Sequence, residues 1–187
     1  MTPKEWRNGG YKDYSRKILQ QSKRAMESKA DFSDMTPTIV KMPVFESFYI
    51  RNKGYNSNIK ETWQKLETWV LTNNITAYKR IALFHDNPTI TPLNECQYIG
   101  CIKVDDIKSV KSDRLPNFKI AEGVYAKFDL KGKTGDVLPF IHWVYHEWLP
   151  KSEYETTTKP SYAIYNKLDF LDDSDEFDLS FYVSINF

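Results

Sequence analysis

Three histidines, two cysteines and a glutamate set beside a tryptophan decide which chemistry this 187-residue chain can support. His142 and His146 stand four apart, a spacing that puts two nitrogen ligands on one helical face. The segment reads His-Trp-Val-Tyr-His, however, and lacks the glutamate that a zinc-peptidase helix carries between its histidines. A surface or half-buried structural pair accounts for it without a metal. Cys96 and Cys101 fall in one predicted strand and its approach, where residues five apart point to opposite faces. They are poorly placed to share an ion or close a disulfide, and read as reduced structural thiols. No glycine-rich phosphate loop, nucleophile elbow or Cys/His catalytic pattern is present, so neither a cofactor nor a metal is expected. Glu147, one residue before Trp148, keeps two readings open: a helix-end residue that pairs locally, or an acid that meets a ligand.

The elements that must position these groups can be read from periodicity. Met42 to Asn52 is strand-like, with Phe48 and Ile50 alternating with Ser47, Tyr49 and Arg51, and Lys53-Gly54-Tyr55-Asn56 ends it. Ser57 is a natural N-cap for a helix to about Asn74, with Ile59, Trp63, Leu66 and Val70 at helical spacing. Strands over Arg80–His85 and Gln97–Val104 follow. The same order then returns: a strand over Gly123–Leu130, a helix over Thr134–Trp148, and strands over Tyr162–Asn166 and Leu179–Ile185. Lys131-Gly132 echoes Lys53-Gly54 at an offset of 78, and both later strands repeat at an offset of 81. A period of this length is too long for a solenoid and implies a duplicated βαββ half. The expected fold is α+β, with tandem duplicated βαββ halves at about 41–105 and 116–187. A pseudo-twofold axis would relate them, and two main helices would cover an antiparallel sheet with a central groove.

Composition bounds what the fold can do. Aromatic residues make up 15% of the chain, with twelve Tyr, eleven Phe and five Trp. Such a surplus suits a lined pocket as well as a core. No run of eighteen apolar residues exists and no apolar stretch follows the N-terminus, so a cytoplasmic location with no membrane partner is expected. Met1 to Lys41 holds nine basic against five acidic residues, whereas Asp169 to Asp178 holds six acids and no base. The segment Tyr14–Ser28 is polar helix-forming material with little apolar periodicity to dock it, and residues 1–40 therefore read as a basic linker or tail.

Two stretches resemble a known family. Asp86-Asn87-Pro88-Thr89-Ile90-Thr91-Pro92, followed by Glu95-Cys96-Gln97-Tyr98 and Cys101, is similar to the first-half motif of GyrI-like effector-binding domains. Glu147-Trp148-Leu149-Pro150-Lys151-Ser152, then Tyr154-Glu155 and Pro160, resembles the second-half motif. The resemblance covers about Val44 to Ile185 and implies two βαββ halves flanking a groove for small, often hydrophobic or cationic molecules. Trp6, Gly9-Gly10-Tyr11 and Tyr14-Ser15 resemble the exit of an AraC-type helix-turn-helix domain. The implied role is the effector-binding domain (41–187) of a transcription regulator, with DNA reached only through a helix-turn-helix module absent from these residues.

Strand parity then maps the groove. If Phe48 and Phe128 pack under the helices, Tyr49, Arg51, Lys127 and Asp129 face the other way, and Phe181 pointing inward leaves Ser180 and Tyr182 outward. The offset adds Ile99 and Cys101, and Phe84 and Tyr165 are expected beside them from the neighbouring strands. The expected ligand-binding set is Tyr49, Phe84, Ile99, Glu147, Trp148, Tyr165, Ser180 and Tyr182. Family members place acids at the positions of Ile99 and Ser180, and a glutamate at that of Ala163. Their loss here favours a neutral, largely apolar ligand, because an unpaired buried cation costs several kcal/mol and an aromatic face offsets only about 0.5–2 kcal/mol. A stand-alone hydrolase or detoxifying binder, with Glu147 and a groove tyrosine as acid/base, is the alternative.

Overall fold

Two β-hairpins, each closed over by one amphipathic helix, build the body of the molecule. The computed structural model describes residues 2–55, 58–110, 114–167 and 174–187. Three short helices lead the chain: α1 (Pro3–Glu5), α2 (Tyr11–Leu19) and α3 (Lys23–Glu27). The first unit follows as β1 (Thr38–Met42), β2 (Phe45–Lys53), α4 (Asn58–Thr72), β3 (Tyr78–Phe84) and β4 (Gln97–Val104). The second comprises β5 (Asn117–Ile120), β6 (Gly123–Lys133), α5 (Val137–Trp143), α6 (Leu149–Lys151), β7 (Glu155–Thr156), β8 (Ser161–Lys167) and β9 (Glu176–Asn186). The expected N-cap Ser57, and residues 169–173 of the acidic run, lie outside the described residues.

All strands pair antiparallel in one curled sheet of order β1-β6-β9-β8-β3-β4-β2-β5, with β7 on β9. The order reads alike from both edges: β6-β9-β8 faces β3-β4-β2 across the central β8·β3 pair, in which Ala82 lies opposite Ala163. That arrangement brings the two βαββ units together along their third elements, as the α+β expectation requires. Trp63, Leu66 and Val70 of α4 are buried at helical spacing, and Phe140, Ile141 and Val144 do the same for the second helix. Between Val144 and Trp148 that helix widens into a π turn. Pro150 can donate no N–H to the turn below it, and the wider turn accommodates that loss.

The glycine echo does not mark one shared turn. Gly54 sits at φ +90° and ends β2, whereas β6 runs on through Gly132 to Lys133. The N-terminal segment also departs from the expected loose tail. Ser15, Ile18, Ala25 and Phe32 are buried against the body. Ser15 Oγ lies 3.0 Å from His142 Nδ1 and 2.7 Å from His146 Nε2, and Gln21 Oε1 accepts from the Leu93 backbone N–H at 3.0 Å. Ser28 Oγ donates to Asp136 at 2.6 Å, and the Phe32 ring packs edge-on to Phe140 at 5.4 Å. Polar contacts supply much of this docking, which is why an apolar-periodicity test passes over it.

Candidate functional site

The sheet separates two apolar clusters. One face, under the helices, holds Trp63, Leu66, Phe84, Phe128, Phe140, Tyr165 and Phe181. The concave face holds Ile81, Leu83, Ile99, Cys101, Tyr125, Tyr162 and Tyr182, with Tyr49 and Phe118 packed against them. Alternation along paired strands fixes this division. Leu83 lies opposite both Ile99 and Tyr162, Tyr162 lies opposite Tyr182, and Tyr49 lies opposite Cys101.

At the second-unit end, aromatic rings fill the concavity. Tyr162 stacks on Tyr182 at 4.7 Å and 15°, and Tyr125 meets Tyr162 edge-on at 5.2 Å. At the first-unit end the face opens into a cavity of about 300 Å³. Tyr49, Leu83, Ile99, Phe118 and Tyr125 form its apolar lining, with Arg51, His85, Lys119 and Lys159 at its rim. Tyr49 and Phe118 are perpendicular at 4.9 Å, and Ile99 is 4% exposed on the floor. Ser47 Oγ and Tyr162 Oη, both buried on this side of the sheet, have no hydrogen-bond partner among the described residues. A larger cavity of about 810 Å³ lies elsewhere, between α3 and the edge formed by β6 and β9, and charged side chains such as Arg24, Lys131, Asp136 and Asp175 line it. Its open, charged walls offer little to an apolar molecule.

The structure therefore brings together Tyr49, Ile99, Ser180 and Tyr182 of the expected set on the concave face. It places Phe84 and Tyr165 on the helix-covered side, where Phe84 meets Phe181 at 5.5 Å and Tyr165 meets Trp63 at 5.7 Å. The expected parity is corrected by one residue there: Leu83 and Tyr162 face the concavity instead. β3 and β8 are apolar on both faces, Ile81-Ala82-Leu83-Phe84 and Tyr162-Ala163-Ile164-Tyr165, so alternation within them carries no signal for which side is which. Trp148 is likewise core, edge-on to Phe128 at 5.0 Å and stacked with Tyr154 at 6.3 Å. Glu147 sits on the helix layer with its side chain 47% exposed, 3.1 Å from Lys151 and 3.9 Å from Lys12. The Lys151 hydrogen bond and charge hold its carboxyl below the ordinary range.

Asp129, which strand parity already turns away from the helices, is a concave-face carboxylate outside the expected ligand-binding set. It accepts from Ser180 Oγ at 2.5 Å and from Lys127 Nζ at 2.9 Å. Partial burial pushes its pKa up, but the Ser180 and Lys127 hydrogen bonds outweigh that and hold it below the usual value. The residue opposite Ser180 in β6 is Asp129, so cross-strand register was the signal that could have found it. Both cysteines are free and buried, and burial pushes the Cys96 thiol up to about 12, which leaves it inert as a nucleophile. Among the described residues no group of three or more His, Cys, Asp or Glu is arranged to hold a metal. No described helix is long and apolar enough to cross a membrane.

A family model described as a GyrI-like small molecule binding domain matches residues 35–185. No curated protein matches the sequence. Among solved structures, the C-terminal domain of EcmrR shares 14% identity at a TM-score of 0.61, over 82% of this chain and 98% of that one. EcmrR in a DNA complex is similar over 98% of this chain and 68% of that one, with 14% identity and a TM-score of 0.65. SAV2435 bound to tetraphenylphosphonium shares 10% identity at a TM-score of 0.54, covering 81% of this chain and 94% of that one. A hydrolase from Listeria innocua shares 9% identity at a TM-score of 0.59, covering 83% and 95%.

Proposed function

The chain belongs to the GyrI-like family of small-molecule-binding domains, and from that premise we propose that it is the effector-binding domain of a transcription regulator. Its ligand is a small, largely apolar molecule held in the concave cavity. The observation that carries this reading is the lining itself: aliphatic and aromatic side chains around about 300 Å³, with no acid among the lining residues. Pockets of that size and composition suit drug-sized apolar ligands. A bound lipophilic cation, as in the SAV2435 structure, would meet Arg51 and Lys159 here rather than a carboxylate, so cations are disfavoured.

The regulator half of the proposal draws support from the N-terminal segment. The likeness to the EcmrR–DNA complex leaves out 2% of this chain and so takes in most of the residues ahead of the sheet. That segment touches both units, through Gln21 on the β3–β4 loop and Ser15 on the second helix. On this reading it passes a shift between the units to a DNA-binding module of AraC type, whose exit the Trp6–Ser15 run resembles. The hydrolase reading, which one structural neighbour's name raises, calls for a carboxylate acid/base beside the cavity, and none is among its lining residues. Glu147 lies on the other layer, and Asp129 is held ionised by Lys127 and Ser180.

Titration with the neutral fluorophore N-phenyl-1-naphthylamine tests the site. One saturable site is expected, weakened about tenfold in a Tyr49→Ala/Phe118→Ala variant that keeps its circular dichroism. Unchanged affinity in that variant would contradict the placement.

A further inference from the structure

Charge at the cavity mouth is one-sided. Arg51 Nη and Nε groups have no carboxylate partner among the described residues, and the guanidinium lies over the Tyr49 ring at 5.5 Å. Lys159 Nζ donates to the Glu122 backbone carbonyl and to no carboxylate among the described residues. The other rim lysine is already paired, Lys119 lying 3.3 Å from Glu46, and the Asp86 carboxylate stands 3.7 Å from His85 Nδ1. The second-unit carboxylates on the same face, Asp129 and Asp178, are at the opposite end and paired with Lys127 and Lys131. Below these two cations, neither paired with a carboxylate among the described residues, the walls are apolar, from Tyr49 and Phe118 down to Leu83 and Ile99. A guanidinium and an ammonium in the lining of an otherwise apolar cavity are complementary to a molecule with an apolar body and a negative head.

We infer that the cavity takes an amphiphilic organic anion, an aromatic or aliphatic carboxylate or sulfonate, with its body on Tyr49, Leu83, Ile99 and Phe118 and its head between Arg51 and Lys159. The inference rests on the groove reading above and adds the chemistry of the head group. It sets this chain apart from SAV2435, whose structure holds tetraphenylphosphonium. Both cations are exposed at the rim, so each contributes modestly and is screened by salt.

A matched pair of fluorophores separates head from body: 8-anilinonaphthalene-1-sulfonate and N-phenyl-1-naphthylamine, which share the ring system and differ by the sulfonate. The sulfonate should bind about tenfold more tightly at low salt, roughly what two partly solvated ion pairs provide. That ratio should fall below about threefold in Arg51→Gln/Lys159→Gln and in 1 M sodium chloride. Equal affinities for the two probes, a ratio that survives the double substitution, or tighter binding of tetraphenylphosphonium than of the sulfonate would overturn the anion assignment. Those results would leave the groove reading intact as long as Tyr49→Ala still weakens the neutral probe. Failure of both probes to bind would overturn the groove reading and the anion assignment together.

Discussion

At the centre of the helix-side core, the Trp63 indole N–H donates to the Tyr98 hydroxyl at 2.8 Å, with both residues almost without solvent exposure. Replacing Tyr98 by Phe strands a buried donor. The expected cost is about 1–3 kcal/mol, read as a lowered urea midpoint, and Trp63→Phe made on top of it should recover part of the loss. Glu147 offers the opposite case. Its side chain lies on the helix layer, 3.1 Å from Lys151, so Glu147→Gln should leave N-phenyl-1-naphthylamine affinity within twofold. A tenfold loss would put the acid back at the site. Both the Glu147 and Trp148 expectations came from a motif, and the motif turns out to build a helix end: Trp148 packs on Phe128 and Tyr154, and Pro150 follows a π turn. Motif residues announce where a helix must stop as readily as where a ligand must sit.

At the level of elements, legibility follows burial. β2 and β6 have one face under a helix and the other toward the concavity, so Phe48 and Tyr49, or Phe128 and Asp129, could be sorted from sequence. β3 and β8 lie at the middle of the sheet and are buried on both faces, so they carry no period-two alternation and nothing in their sequence tells that Phe84 and Tyr165 face the helices. Helix α4 was legible because Trp63, Leu66 and Val70 repeat at helical spacing. Helices α2 and α3 were legible as helices but not as docked ones, since Ser15, Gln21 and Ser28 hold them through polar contacts. Gly135 tests that docking. A Cβ there would stand 2.6 Å from the Arg24 carbonyl oxygen, closer than real Cβ contacts come. Gly135→Ala should push α3 off the body and raise the rate of tryptic cleavage at Lys23, Arg24 and Lys29, with the sheet's thermal transition little changed.

For the molecule as a whole, the Ser15–His142–His146 contact makes stability depend on mild acid. Burial, followed by the neighbouring His146, pushes the His142 pKa down to about 4 from an ordinary value near 6.5. Burial, followed by Lys12, also lowers that of His146. Folding therefore favours the neutral rings. The stability they contribute is complete above pH 6.5 and is lost as pH falls toward 4, by up to about 3 kcal/mol for His142. Urea midpoints measured between pH 7.5 and 4.5 should fall, and His142→Asn should flatten the slope; equal slopes would remove the histidines from the account. The two-unit fold and the groove were legible because the βαββ order repeats along the chain, whereas the N-terminal segment has no counterpart in that repeat and gave no such guide.

The central claim is that small molecules bind on the concave face of the sheet and not among the helices. A methyl-resolved NMR titration with N-phenyl-1-naphthylamine tests it most directly. Perturbations centred on the Leu83, Ile99 and Ile120 methyl groups, with Leu66, Ile102 and Ile141 unmoved, are the predicted result. Shifts confined to Leu66, Ile102 and Ile141 would contradict it.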